Sequence, residues 1–436
     1  MPYIVYKLGG TSQCKIGYDR LIQEIKKNLS KNKIFIVLSA ISGVTNNLVK
    51  FTETKNHTYI DNVLELNYNL IRELDLKEEY FEEIKNRLLE LCSNYIKSFD
   101  MTDIYEKSEI IGYGEVFSTN ILFKYIDSDY DFKYRDLTLN NSYTYIKSKK
   151  EIFQCNSTTE FYADFDKFDN FNTEYDINIF QGFIGSTPSG KKVLLGRGGS
   201  DTTGALIANA ISAERYEVWT DVDGIYTADP RIFDAQLVEN IDYELIQELA
   251  SMGAKVMHPL SIKPCADKNI PIYVKNTFNQ SSNGTKITSL SDCTDKTNTY
   301  FAIQKNETIF KIKSLDMWNS FGFLNDIFRQ FSENKIDVNI VTTSQFSVSA
   351  TTNEQNKYKL LELQQKLSEK YDVILISDCV IFSLVTRNIK NLINKINFAD
   401  INAEIIHISD NNMTINFVLQ KFDKDIINNL YVKTYL

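Results

Sequence analysis

The chain has 436 residues, 43% of them hydrophobic and 12% aromatic, which excludes a disordered or fibrous protein and is enough for two or three cores. Its 48 Lys and Arg against 57 Asp and Glu give a net charge of −9, which argues against binding a phosphate backbone, since that affinity comes from clustered cations. No apolar run approaches the roughly 20 residues needed to cross a bilayer. A strand-like segment begins at Tyr3 where a signal peptide would lie, so a soluble, cytoplasmic protein is expected.

Taken in chain order, the opening strand is followed by a continuous apolar run at 34–38, as expected for a parallel strand covered on both faces. Similar runs stand at 177–180, 193–195, 218–220 and 272–274, and helical spacing runs through 61–99. Alternating strands and helices predict a layered α/β domain with a mostly parallel sheet. The span 127–176 is polar, aromatic and acidic without a period, and reads as a solvated subdomain or lid margin. Only Gly322 of the 17 glycines lies beyond Gly284, so binding loops are expected in the first two thirds. A polar stretch at 289–298 marks the boundary. Beyond it, a strand at 301–312 precedes a helix striped by Phe321, Leu324, Phe328 and Phe331. Strands at 338–342 and 346–351, a helix at 360–367 and a strand at 373–376 complete the set. A second set follows, with strands at 380–385, 404–408 and 414–419, helices near 392–396 and 425–430, and a short last strand near 431–435. Two βαββαβ modules are the simplest reading. The expected domains are 1–290, 299–376 and 377–436.

The six cysteines are scattered with no CxxC pair, so free thiols are expected. Nothing in the spacing of the three histidines supports a metal site or a Ser-His-Asp triad. Chemistry concentrates instead in glycine-bearing segments at strand ends. Lys7-Leu8-Gly9-Gly10-Thr11-Ser12 can turn backbone N–H groups toward an anion with Lys7 as a point charge, or it is only a turn. Ser39 to Asn46 carries small hydroxyl residues where open α/β sheets bind ligands, with helix capping by Ser42 or Thr45 as the alternative. Gly196-Arg197-Gly198-Gly199-Ser200-Asp201 sets one Arg, able to grip a carboxylate, among three glycines. Ser200 or Asp201 would also serve as a helix N-cap. The segment 219–231 offers Thr220, Asp221, Tyr226 and Arg231 to a nucleotide, or is a decorated surface loop; Lys255 adds a second lysine.

These segments together resemble the aspartokinases of the amino-acid kinase superfamily. The resemblance rests on KLGGTS at 7–12, LSAISGVTN at 38–46, GEVFS at 114–118, GRGGSD at 196–201, WTDVDGIYTADPR at 219–231 and GAKVMHP at 253–259, all in family order. It covers nearly the whole chain and implies a layered αβα kinase domain followed by two α+β ACT domains, most similar to the single-function, lysine-sensitive type. It implies transfer of the ATP γ-phosphoryl group to the side-chain carboxylate of L-aspartate, with Mg²⁺ carried by the nucleotide, as the first step toward lysine, threonine and methionine. Catalytic roles would fall to Lys7, Asp201 and Lys255. Ser39, Thr45, Glu115, Arg197 and Ser200 would form the aspartate pocket, Arg197 holding a carboxylate and Glu115 the ammonium group. Lys7, Gly9, Gly10, Thr220, Asp221, Tyr226, Arg231 and Lys255 would bind ATP. No metal ligand is expected from the protein, and a homodimer through the ACT domains is.

An effector, lysine by the resemblance, would bind near Met317, Ser320, Phe323, Leu324, Asp337, Val338, Asn339 and Ser344. Lysine-sensitive relatives carry acids where this chain has Asn339 and Gln345, which offer neutral carbonyl oxygens, while Asp337 is acidic where they have Ser. Weaker lysine inhibition is therefore expected. Leu260 also departs from the Arg of many relatives. Two rival readings are an amino-acid kinase for another carboxylate and a catalytically silent, amino-acid-sensing regulatory subunit.

Overall fold

A computed structural model describes residues 1–97, 104–132, 136–152, 161–164, 175–254, 257–294, 299–314, 321–396, 401, 403–408, 413–421, 427–428 and 431, with Tyr130 by its backbone alone. The chain forms two compact units. The first holds Met1–Ile225, Leu237–Ile246 and Lys255–Thr294; the second holds Tyr226–Gln236, Gln247–Ala254 and Asp295–Leu436.

The first unit contains β1 (Tyr3–Leu8), β2 (Lys33–Leu38), β3 (Leu137–Asn140), β4 (Ile146–Ser148), β5 (Phe161–Ala163) and β6 (Ile177–Gln181). These are followed by β7 (Ile184–Ser186), β8 (Lys192–Leu194), β9 (Arg215–Thr220), β10 (Asn240–Asp242), β11 (Ile272–Asn276) and β12 (Thr285–Thr288). Eight of them make one sheet in the order β10-β12-β11-β9-β1-β2-β6-β3, parallel except that β12 runs antiparallel to β11 and carries β10 with it. The apolar runs of β1 and β2 are buried because helices cover the sheet. One of these, Lys15–Asn28, turns Tyr18, Leu21, Ile22 and Ile25 inward at the i, i+3, i+4, i+7 spacing of a one-sided helix. The helical stretch expected at 61–99 is two helices, Thr58–Glu73 and Glu82–Lys97, separated where Asp75 adopts φ 56°. Part of the span 127–176, read as an aperiodic margin, is ordered strand: β3 joins the large sheet beside β6, and β4 and β5 join β7 and β8 in a second one.

In the second unit, β13 (Tyr300–Lys313), β14 (Val341–Thr343), β15 (Ser347–Thr352), β16 (Asp372–Val385), β17 (Ile405–Ile408) and β18 (Thr414–Leu419) form one sheet in the order β14-β15-β13-β16-β18-β17. The expected strands at 373–376 and 380–385 are a single strand, β16. The polar Ser377-Asp378 looks like a turn, but Asp378 takes φ 59° and pairing resumes at once, with Cys379 opposite Glu307. The opening residues of β13 pair with 381–385, so two long antiparallel strands run through both modules. Each module keeps its own apolar core. Phe310, Ile327, Phe331, Leu360 and Leu363 build one; Phe301, Phe382, Leu392 and Phe417 build the other. This is the pair of α+β ACT modules expected, in chain order, after a mostly parallel α/β domain. The short strand expected near 431–435 and most of the helix at 425–430 lie outside the described residues, as do residues 295–298 of the expected boundary.

Candidate active site

Strands β9, β1, β2 and β6 stand side by side and parallel, so their carboxyl ends open on one edge. The chain moves from β1 to β2 and β6 on one side and returns to β9 on the other. β1 is therefore the switch point, where open α/β sheets form a ligand crevice. Backbone hydrogen bonds tie these strand ends together. Gly9 N–H donates to Trp219 O at 3.0 Å, Ser39 N–H to Leu8 O at 3.2 Å and Gly182 N–H to Leu38 O at 2.8 Å. Gly10 has to be a glycine, because a Cβ there would lie 2.7 Å from Ala40 O. Gly198 meets two such demands: its φ is 68°, and an added Cβ would sit 2.5 Å from His258 Cβ.

The charged groups follow from this frame. Lys7, two residues before Gly9, is only 8% exposed, and its Nζ lies 2.6 Å from Asp201 Oδ1. Lys7 is thus held in a largely buried ion pair and does not project into solvent. Asp201 stands in the first turn of the helix Gly199–Ala210, whose N-cap is Gly198. Neither Ser200 nor Asp201 caps that helix, and Gly43 rather than Ser42 or Thr45 holds the cap position of the helix Val44–Thr54. Tyr216 donates its hydroxyl to Asp201 O at 3.0 Å and so fixes this turn. Ser200 is buried against Gly182, while Arg197 is exposed.

Glu115 is the most unusual group. It lies in the first turn of the helix Tyr113–Ser128 and is 2% exposed. Its Oε1 accepts the Ala40 N–H at 3.1 Å, and its Oε2 has no hydrogen-bond partner among the described residues. Burial pushes its pKa up to about 8, against the opposing pull of the Ala40 bond. A buried carboxylate with an unused oxygen is a place for a ligand's cation. Ser39, half-buried, precedes Ala40 on the loop that serves Glu115, and Thr45, also half-buried, lies in the first turn of the helix Val44–Thr54.

Thr220 ends β9, and its hydroxyl donates to Asp221 Oδ1 at 3.1 Å. The loop that follows is braced by Asp223, which accepts from Asn276 Nδ2 at 2.7 Å and Asn279 Nδ2 at 2.9 Å. Tyr226 and Arg231 belong to the second unit, where Arg231 forks onto Asp229 at 2.9 and 2.7 Å. Lys255 lies outside the described residues. Sequence reasoning did not assign Gln13, which donates to Ser39 O, or Thr277, which bonds Ser12 Oγ at 2.7 Å. It quoted His258 without giving it a role. His258 caps the helix Pro259–Ala266, and burial together with the nearby Arg197 lowers its pKa, with Asp201 opposing.

Of the expected effector residues, Met317 and Ser320 lie outside the described residues. Phe323 and Val338 are half-buried against their module's core, and Leu324, Asp337, Asn339 and Ser344 are exposed. Asn339 does not present a carbonyl oxygen as expected. Its amide nitrogen lies 3.0 Å from each oxygen of the Glu307 carboxylate. A carboxylate only accepts hydrogen bonds, so the nitrogen must face it.

Among the described residues no group of three His, Cys, Asp or Glu side chains is placed to hold a metal ion, and no helix is long and apolar enough to cross a membrane. The described Cys14, Cys92, Cys265, Cys293 and Cys379 are free thiols.

Residues 2–276 match the amino acid kinase family. The chain is 31% identical to lysine-sensitive aspartokinase 3 of Escherichia coli over 360 residues, covering 80% of this chain and 78% of that one. It is 30% identical to an aspartokinase of Rickettsia felis over 442 residues, covering 98% of both. The fold matches the crystal structure of Escherichia coli aspartokinase III in complex with aspartate and ADP over the whole of both chains, with a TM-score of 0.81 at 24% identity. The chain belongs to the aspartokinases, within the amino acid kinase family.

Proposed function

We propose that the protein phosphorylates the side-chain carboxylate of L-aspartate with ATP, giving 4-phospho-L-aspartate and ADP, the step that opens lysine, threonine and methionine synthesis. The observation that carries this reading is Glu115, a buried carboxylate with an unpartnered oxygen beside the switch-point crevice. It suits the ammonium of an amino acid. Arg197, exposed among glycines, would take the α-carboxylate with its planar fork. Ser39, Thr45 and Ser200 would complete the aspartate pocket. Gly9 and Gly10 would offer backbone N–H groups to the phosphates, and Thr220, Asp221, Tyr226 and Arg231 would hold the nucleoside end.

The nucleophile is already ionised at pH 7, so the protein needs no general base. Its work is positioning and charge. Lys7 and Lys255 would stabilise charge on the transferred phosphoryl group, and Asp201 would hold the Lys7 ammonium in place. Asp201 already spends its carboxylate on Lys7, so Mg²⁺ fits this donor set as an ion held by the nucleotide's own phosphate oxygens. Bound there, it would neutralise phosphate charge. We further propose a cytoplasmic homodimer joined through its ACT modules, with domains at 1–290, 299–376 and 377–436, inhibited by an amino acid bound at the first module.

An aspartyl-hydroxamate assay with ATP and Mg²⁺ tests the reading directly. Arg197→Ala should raise the aspartate KM by about 10–100-fold, the loss of one charge-assisted contact, and leave the ATP KM nearly unchanged. Arg197→Lys should rescue poorly, because an ammonium lacks the fork. Absence of hydroxamate with wild type, or equal rises in both Michaelis constants, would overturn it.

A further inference from the structure

Glu307 is 1% exposed, and no cation among the described residues pairs with it. Among the described residues its one donor is neutral: the Asn339 amide, at 3.0 Å from each carboxylate oxygen. An unpaired carboxylate inside a protein is costly, and one amide nitrogen compensates only part of that cost. The position is also irregular in backbone. Pairing between β13 and β16 shifts register on either side of Glu307, and Asn306 and Asp378 flank the joint with φ of 64° and 59°. Bulges of this kind re-aim side chains, often beside binding sites. Here the bulge turns an acid toward Asn339, in the segment 337–339 that holds three of the expected effector residues. Asn339 is exposed, so the carboxylate lies one side chain beneath the surface.

Resting on the reading of an effector site at the first ACT module, we propose that Glu307 is its acidic determinant. In the structure the Asn339 amide is the donor to that carboxylate, and the side-chain ammonium of a basic amino acid takes its place on binding. The carboxylate is thus supplied from β13, two strands away from β14, rather than from position 339 itself. Asp337, exposed on the same segment, is left as a second, solvated charge. Burial raises the Glu307 pKa while the Asn339 bond opposes it, and an arriving ammonium favours the ionised form.

The test titrates free lysine, with norleucine as the isostere lacking the ammonium, against the full-length enzyme. Lysine binding is read by calorimetry and inhibition by the hydroxamate assay. Wild type should bind lysine and not norleucine. Glu307→Gln should weaken lysine binding about tenfold or more, the loss of a charged partner. The double variant Glu307→Gln with Asn339→Asp, which swaps the two groups, should restore it. Asn339→Ala keeps the carboxylate without its donor, and should bind lysine at least as tightly as wild type; it carries the test if Glu307→Gln fails to fold. Undiminished lysine binding by Glu307→Gln, loss of binding by Asn339→Ala, or no lysine binding by wild type overturns the proposal. Activity without lysine reports the kinase reading separately, so the failure of one is distinguishable from the failure of the other.

Discussion

At the scale of single residues, Glu115 sets the clearest pH signature. Its carboxyl must ionise to receive an ammonium, and its pKa is pushed up to about 8 by burial. Below that pH, aspartate binding must expel a proton, so log KM for aspartate should fall by about one per pH unit as pH rises toward 8, then level. In Glu115→Gln the slope should vanish and the aspartate KM should rise about 10–100-fold. The stability effect has the opposite sign. A carboxyl whose folded pKa is raised binds its proton more tightly folded than unfolded, so its contribution is complete below 4.5 and is lost as pH rises through about 8. Glu115→Gln should therefore melt higher than wild type, by a margin that widens between pH 4.5 and 8. A lower melting temperature for the variant at pH 8 would contradict the assignment. Lys7 behaves differently, because it is paired. Lys7→Ala should reduce kcat about 10²–10³-fold. It should also cost about 1–3 kcal/mol of stability by stranding Asp201. Adding Asp201→Asn should recover part of the melting temperature but none of the rate.

At the scale of elements, the helix Gly199–Ala210 depends on how it begins. Its cap residue is a left-handed glycine that makes no side-chain cap, which leaves the positive end of the helix dipole available to an anion. Gly198→Ala places a Cβ against His258 and forces a left-handed alanine, at a cost of about 1–3 kcal/mol in backbone strain. The expected outcome is a lower melting temperature together with a fall in kcat larger than an equivalent lesion elsewhere, such as Gly190→Ala. Gly190 has φ 85° with nothing near its added Cβ, so it isolates the strain from the clash. Equal effects on kcat from the two variants would show that the turn at Gly198 has no part in catalysis.

At the scale of the whole molecule, the second unit is organised by two strands of fourteen residues, β13 and β16, that serve two cores. Phe301 stands at one end of β13, stacked on Phe382 with ring centroids 5.9 Å apart and set edge-on to Tyr431 at 4.7 Å. Phe310 stands further along the same strand in the other core, edge-on to Phe331 at 5.2 Å. Truncation of either to alanine should cost about 3–5 kcal/mol. Because the strands are shared, each lesion should reduce hydrogen-exchange protection in both modules. Loss of protection confined to one module would mean that the joint at Glu307 uncouples them.

The sequence by itself determined the sheet and the loops that end its strands. Runs such as 34–38 are apolar on both faces, which only a covered parallel strand accommodates, and the glycine motifs mark where backbone must approach backbone. Partners were beyond its reach. The resemblance marks Glu115 for an ammonium group, but nothing local shows that Ala40 and the sheet enclose it. Glu307 falls inside the strand expected at 301–312, but nothing local shows that β16 covers it or that Asn339 turns its nitrogen onto it. The single strand β16 was likewise hidden by Ser377-Asp378, whose polarity signals a turn that long-range pairing with β13 overrides. Local pattern reports which faces are apolar; desolvation and pairing of a given charge depend on groups brought together across the fold, and only tertiary structure decided those.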